Sequence, residues 1–292
     1  MHINSKAKKG NMDRRTALKT YSLAILGLSF PEMSLANNKS IWLPNSLENK
    51  LPEHFPNIDP QIVAEVVGKS HFDLDRIKEL VEKRPELSRS VWEWRFGDFE
   101  SAIGAASHVG RRDIALYLID KGARPTLFTF AMLGYFHTVK SAIETLPGIQ
   151  KVTGPHGISL LDHAYAGERM KDSMSKTEIE SLEQTIDYLT KLGNASGGKY
   201  MDVSAEEQKK YLGNYKYGDG ENDGFTIDIN MRKLLSLGPI GEFGGALYKI
   251  GNNKFIYNGA PSVEITFDIR DDKVYSLKVT DPDMMIVAQK TS

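Results

Sequence analysis

The spacing of hydrophobic and polar positions changes once along the chain. From about residue 55 to 195, apolar residues recur every three or four positions, as in Ile62 to Gly68, Leu74 to Val81 (LDRIKELV), Ile114 to Ile119, Val139 to Ile143 and Ile186 to Leu189. That spacing predicts amphipathic helices. Beyond residue 204 the period shortens to two, most cleanly in Val263-Glu264-Ile265-Thr266-Phe267-Asp268-Ile269, and predicts strands. Strand-like runs are Gly213 to Tyr217, Phe225 to Asn230, Leu234 to Leu237, Ala246 to Ile250, Phe255 to Tyr257, Val263 to Ile269, Val274 to Val279 and Met284 to Ala288. Turns such as Gly251-Asn252-Asn253 and Asp271-Asp272 join them, so the pattern suggests an antiparallel barrel or sandwich over 204–292. Gly193-Asn194-Ala195-Ser196-Gly197-Gly198 is flexible by composition and marks a linker, 196–203, between the two parts.

Within the helical stretch a grammar repeats. Ser101-Ala102-Ile103-Gly104-Ala105-Ala106 leads through His108-Val109-Gly110 into Asp113 to Ala123 (DIALYLIDKGA). Small residues let two helices approach, Gly110 suits the turn between them, and Gly122 ends the second helix where left-handed backbone is needed. Degenerate copies run from Thr126 through Gly134 to Ile143, and from Ser159 through Gly167 and a charged insertion to Gly193; an upstream helix pair closes at Arg84-Pro85-Glu86-Leu87. The segment from Ser101 to Ala123 resembles an ankyrin repeat over its helix–turn–helix length. The resemblance implies a solenoid of about four irregular repeats over 55–195 that holds a protein partner. The near absence of a finger between Gly122 and Thr126, and the insertion between Gly167 and Leu182, depart from a regular array.

Tyr211-Leu212-Gly213-Asn214-Tyr215, with Phe255 and the Val263 to Ile269 strand, resembles the small lipocalin-like domain that follows serine β-lactamase-like hydrolases and secreted peptidases. That resemblance covers about 80 residues and implies a recognition or packing appendage rather than a catalytic unit. Tyr215, Phe225, Ile227, Tyr248, Phe255 and Phe267 would line its inner face as core, with a cavity for a small apolar ligand or lipid as the alternative. The expected fold class is therefore α+β in two domains, a helical ankyrin-repeat solenoid followed by a small antiparallel β-barrel or sandwich.

Six Lys or Arg between Lys6 and Lys19 precede the apolar run Tyr21 to Phe30, and Ser34-Leu35-Ala36 offers the small residues of a cleavage site. This order predicts an export signal over 1–36, a linker over 37–54, and a periplasmic or otherwise extracytoplasmic address in a bacterium. The run is far shorter than the roughly 20 residues a membrane helix needs, so no permanent membrane span is expected. Arg14-Arg15-Thr16-Ala17-Leu18-Lys19 resembles a twin-arginine signal, departing from it at Asp13 and Ala17, so the general secretory route stays open. Met12, just before the motif, competes with Met1 as the start.

Charge and chemistry narrow the function classes. With 37 basic and 38 acidic residues the formal charge is −1, which provides no field for nucleic acid. The absence of cysteine excludes disulfides, thiolate nucleophiles, zinc ribbons and Cys-ligated clusters. Seven His occur without HExxH spacing, and Gly157-Ile158-Ser159-Leu160-Leu161 misses the nucleophile elbow at its last position. Ser173 and Lys176 have S-x-x-K spacing but lie in the charged insertion. Asp162 and His163 are consecutive helix residues pointing about 100° apart, which suits a structural hydrogen bond rather than a carboxylate–imidazole pair. Asp219 to Gly224 has the opening of a calcium loop but Asn230 at its twelfth position, and reads as an acidic hairpin.

No catalytic residue, cofactor or metal ligand emerges, and the chain reads as an exported, non-enzymatic interaction scaffold. Partner-binding candidates are Trp92, Trp94, Arg95 and Phe99 before the clearest repeat, where residue types enriched in hot spots gather, together with Tyr135. Packing inside the helical part is the competing role for the tryptophans. His156 completes the candidates, on the turn Gly154-Pro155-His156-Gly157, with its ring expected in solvent. Small-ligand binding in the β-domain is the alternative function and hydrolysis a distant third.

Overall fold

Most helices of the first half begin at a side chain that satisfies a free backbone N–H. In the computed structural model, which describes residues 52–291, Asp59 caps α1 (Pro60–Lys69), Asp73 caps α2 (Leu74–Lys83) and Ser101 caps α3 (Ala102–His108). Thr126 caps α5 (Leu127–Leu133), Ser159 caps α7 (Leu160–Ala166), and a Ser175–Glu178 capping box opens α8 (Lys176–Leu192). The second helices α4 (Arg112–Asp120) and α6 (Phe136–Thr145) lack a side-chain cap and start just beyond glycine turns, Gly110 with φ 72° and Gly134 with φ 73°. The first helices α1, α3, α5 and α7 pack side by side, and α2, α4, α6 and α8 lie behind them. Val66, Ile77, Ile103, Ile114 and Leu118 fill the core of the first two pairs, and Ala131, Val139, Leu160 and Leu189 that of the last two.

The expected ankyrin-repeat solenoid is not what the chain builds. Solenoid repeats touch only their immediate neighbours, whereas α3 contacts both α5 and α7. The turn at Gly110 is pressed so closely on the end of α7 that a Cβ there would lie 2.0 Å from the Ala166 carbonyl oxygen. Among the described residues of the helical half there is one finger-like hairpin, β1 (Val91–Glu93) with β2 (Phe99–Ser101). Short 3-10 turns at Ile149–Lys151 and Pro155–Gly157 precede the last pair, and another at Gly167–Ser173 splits it. Three of the four first helices, α3, α5 and α7, have only seven residues. The helical half does not stand apart either, because Pro52 onward forms one compact unit.

The second half opens with α9 (Ala205–Tyr211), capped by Ser204. Eight strands follow: β3 (Gly213–Lys216), β4 (Gly224–Ile229), β5 (Leu235–Pro239), β6 (Gly245–Gly251), β7 (Lys254–Tyr257), β8 (Ala260–Arg270), β9 (Lys273–Asp281) and β10 (Met284–Lys290). All neighbours run antiparallel, and β10 closes on β3 through Gln289 opposite Lys216 and Lys290 opposite Tyr215. Closure decides for a barrel over a sandwich and leaves no unpaired sheet edge. Alternate residues point inward, and Tyr215, Phe225, Ile227, Phe255, Phe267 and Leu277 pack the interior. Tyr248, expected among them, instead stacks on Tyr200 at 4.5 Å between ring centroids. Tyr211 of α9 closes the core edge-on to Phe255, and its backbone oxygen accepts from Tyr215 Oη at 2.6 Å.

Barrel and helical stack meet along the β1–β2 hairpin and the Gly154 to Gly157 strap. Phe96 packs on Tyr257 with centroids 4.9 Å apart, and Arg95 donates to the Phe243 carbonyl at 3.0 Å and pairs with Glu242. The expected export signal and most of the 37–54 linker lie outside the described residues. No described helix is long and apolar enough to cross a membrane.

Candidate metal centre

Four side chains from separate elements converge where the helical stack meets the strap. His71 follows the end of α1, Glu100 sits on β2, His108 ends α3, and His156 lies in the strap with left-handed backbone, φ 59°. One donor atom from each lies within 4.8 Å of all the others. His71 Nε2 is 3.0 Å from His108 Nε2 and 3.5 Å from Glu100 Oε2. Glu100 Oε1 is 2.9 Å from His108 Nε2 and 3.2 Å from His156 Nε2. A tetrahedral ion with ligands about 2.0–2.1 Å away has donor–donor edges of roughly 3.3 Å, near the His71–His108, His108–Glu100 and His156–Glu100 separations.

The outer nitrogens fix which ring atoms face inward. His71 Nδ1 is 2.9 Å from the Gly68 carbonyl, and His156 Nδ1 is 2.7 Å from Asp98 Oδ2. Each partner can only accept, so each Nδ1 carries a proton, and Nε2 is the inward atom left free to hold a metal whenever the ring is neutral. Trp94 Nε1 donates to Glu100 Oε2 at 2.7 Å. Glu100 is fully buried, and its Oε1 faces two imidazole nitrogens, at 2.9 Å and 3.2 Å, that can bond to it only where they carry a proton. Lone pairs facing a buried carboxylate oxygen repel unless a proton or a metal cation lies between them.

Burial pushes the Glu100 carboxyl up, but hydrogen bonds from His108 and His156, together with their charge, more than offset it and hold it well below the usual carboxylate range. Burial pulls His108 below its ordinary value, which favours the neutral ring a metal needs. Burial acts on His156 in the same direction, yet the carboxylates of Asp98 and Glu100 lift it to about 10. A proton there balances one of two buried negative charges, and a dication would balance both.

No protein-family model matches the chain, and no curated protein and no solved structure matches it. The reading of the site therefore rests on its own chemistry. His and Glu without Cys suit zinc and its borderline neighbours better than magnesium or calcium, which prefer all-oxygen shells. The outer contacts, imidazole to carbonyl, imidazole to carboxylate and indole to carboxylate, are of the kind that orient metal ligands.

The sequence reading assigns no metal ligand and passes over His71, Glu100 and His108. The missed signal is a matched dipeptide. Ser70-His71 follows α1 directly and Ser107-His108 closes α3, and both serines bond four residues back, to Val66 O at 2.7 Å and Ile103 O at 2.6 Å. His156, expected in solvent, is instead held by Asp98 and faces Glu100. Of the other partner-binding candidates, Trp92 packs on the helical core, Trp94 serves Glu100 and Arg95 engages the barrel. Phe99 is 65% exposed and Tyr135 39%.

The other sequence candidates form no second centre. Ser159 links the Asp162 and His163 side chains separately, its hydroxyl donating to Asp162 at 2.7 Å and its carbonyl lying 2.8 Å from His163 Nδ1. Lys176 is exposed in α8 and Ser173 Oγ donates to Met170 O at 2.8 Å, so they do not meet. In the Asp219 to Gly224 hairpin the Lys216 ammonium donates to the carbonyls of Gly220 and Glu221, where a calcium ion would seek oxygens.

Proposed function

We propose that the protein binds one divalent transition-metal ion, with zinc the best match, through His71, Glu100, His108 and His156. The observation that carries this is the convergence of three imidazoles on the fully buried Glu100 carboxylate, with one donor atom from each of the four residues within 4.8 Å of the others. Four protein donors fill a tetrahedral shell, so the centre is structural: it pins the β1–β2 hairpin and the strap to α1 and α3, and it leaves no open position for catalysis. Imidazole and carboxylate do not oxidise, which agrees with a cysteine-free chain whose expected address is outside the cytoplasm.

Metal-stripped protein titrated calorimetrically with zinc ion should bind one equivalent. The cobalt-loaded protein should show the strong visible absorption of a tetrahedral site. Glu100→Gln and His108→Ala should each weaken binding by at least about 100-fold. Wild-type protein that takes up neither ion would end the proposal and leave the cluster as a protonated ion-pair network around His156.

A second reading, protein–protein interaction, is favoured by one observation. Phe99 and Val91 stand exposed on the hairpin that the centre holds, at the edge of a cleft of about 490 Å³. In this reading the metal holds a docking edge in shape.

A further inference from the structure

We propose that the β-barrel supplies the outer shell of the metal centre, so that ion binding and the seating of the barrel on the helical stack are coupled. This rests on the metal-binding reading above.

The connection runs through Asp98. It is 3% exposed, and its carboxylate accepts from three donors: the His156 backbone N–H at 3.0 Å, His156 Nδ1 at 2.7 Å and Asn258 Nδ2 at 2.7 Å. Asn258 belongs to the barrel, in the turn between β7 and β8, and is itself 3% exposed. Its backbone N–H donates to Ala246 O at 2.9 Å, which ties the amide to the barrel wall. The next residue, Gly259, has φ 66°, and a Cβ on it would lie 2.3 Å from Asp98 Oδ1. The barrel turn is thus shaped around a carboxylate of the helical half.

A second barrel residue reaches the same ligand. Tyr248 Oη donates to the His156 carbonyl oxygen at 3.0 Å, and Gly157 lies so close to the Tyr248 ring that a Cβ would sit 3.1 Å from it. Every polar group of the His156 backbone and the outer ring nitrogen is therefore engaged, directly by Tyr248 or through Asp98 by Asn258. His156 holds a left-handed conformation that is uncommon for a residue with a side chain, and such conformations persist where surrounding contacts over-determine them.

The physical consequence is linkage. A carboxylate that orients a ligating imidazole and raises its basicity tightens the metal bond, and losing such an outer partner typically costs 10- to 100-fold in affinity. Asn258 and Tyr248 keep Asp98 and the strap in place only while the barrel is seated. By reciprocity the ion must favour the seated arrangement by the same factor. Asn258 and Tyr248 are positioning residues, since neither is among the four converging donors.

The experiment uses the full chain and zinc ion alone, in wild type, Asn258→Ala and Tyr248→Phe. Affinity should fall about 10-fold or more in Asn258→Ala and less in Tyr248→Phe, at unchanged stoichiometry. The tetrahedral cobalt spectrum should persist in both. Zinc should slow proteolytic cutting in the Gly193 to Ser204 linker of the wild type, and this protection should shrink in Asn258→Ala in proportion to the lost affinity. Tyr248→Phe keeps the ring that packs on Gly157, so it reports even where Asn258→Ala folds poorly. Wild-type affinity in both variants, or zinc-independent linker cutting, would overturn the coupling while leaving the metal centre intact. A wild type that binds no zinc would remove the metal-binding reading and this inference with it.

Discussion

His163 is the imidazole the cluster leaves out. Its ring centroid is 6.5 Å from that of His108, its Nδ1 bonds to Ser159 O, and its Nε2 is buried without a partner. Burial, only partly opposed by the Ser159 contact, lowers its pKa to about 4. In the unfolded chain the value is about 6.5, so between those values the unfolded state takes the proton and the folded state does not. The stability His163 contributes is therefore complete above about pH 6.5 and drains away as pH falls towards 4. At pH 5 the loss is about 2 kcal/mol, or several degrees of melting temperature. His163→Gln removes the titration, and its melting temperature should fall less between pH 7 and pH 5 than that of the wild type. Parallel curves would show that His163 is not buried in neutral form.

The same scale explains why the centre was hard to read. His71, Glu100, His108 and His156 are spread over more than eighty positions, and no pair has a spacing that puts two ligands on one helix face. The local pattern around Glu100 also runs against expectation. Asp98 and Glu100 turn inward and Phe99 turns out, so alternation is present with polarity inverted. Only a neighbouring element carrying imidazoles makes such an inversion tolerable.

Single elements were far more legible than their assembly. Apolar recurrence and glycine turns mark the helices in the sequence because a buried stripe and left-handed backbone are local demands. Each of the eight strand-like runs lies wholly or largely within a strand, because alternation follows from the pleat alone. How the helix pairs meet depends on contacts between distant turns, and there the ankyrin expectation failed. Two glycines separate the local demand from the distant one. Gly122 has φ 93° and open space around its Cβ position, whereas Gly110 has φ 72° and meets the Ala166 carbonyl. Gly122→Ala should cost only the left-handed strain, about 1 kcal/mol. Gly110→Ala adds overpacking, for roughly 2–4 kcal/mol in total and a melting temperature lower by about 5–15 °C. Equal shifts in the two variants would mean that the α3–α4 turn does not press on α7.

For the whole molecule the question is which half can stand alone. The barrel closes its own hydrogen-bond ladder and packs its aromatic interior from its own strands and Tyr211 of α9, with Phe96 of the helical half adding to it from outside. A fragment from Lys199 to the C-terminus retains all of this but Phe96, and also the Met201 N–H to Lys249 O bond of 2.9 Å that fastens its leading segment. It should give a β-type circular dichroism spectrum and a cooperative melt. The helical half keeps its apolar core when cut at the same place but loses Asn258 and Tyr248, so Asp98 and the His156 strap face water. It should melt at a lower temperature than the full chain and bind zinc at least about 10-fold more weakly. Adding the barrel fragment in trans should recover part of that affinity, because the contacts that seat it are side-chain contacts and need no covalent link. An unfolded barrel fragment would instead show that the two halves share one core, with the Phe96 and Tyr257 packing as part of it.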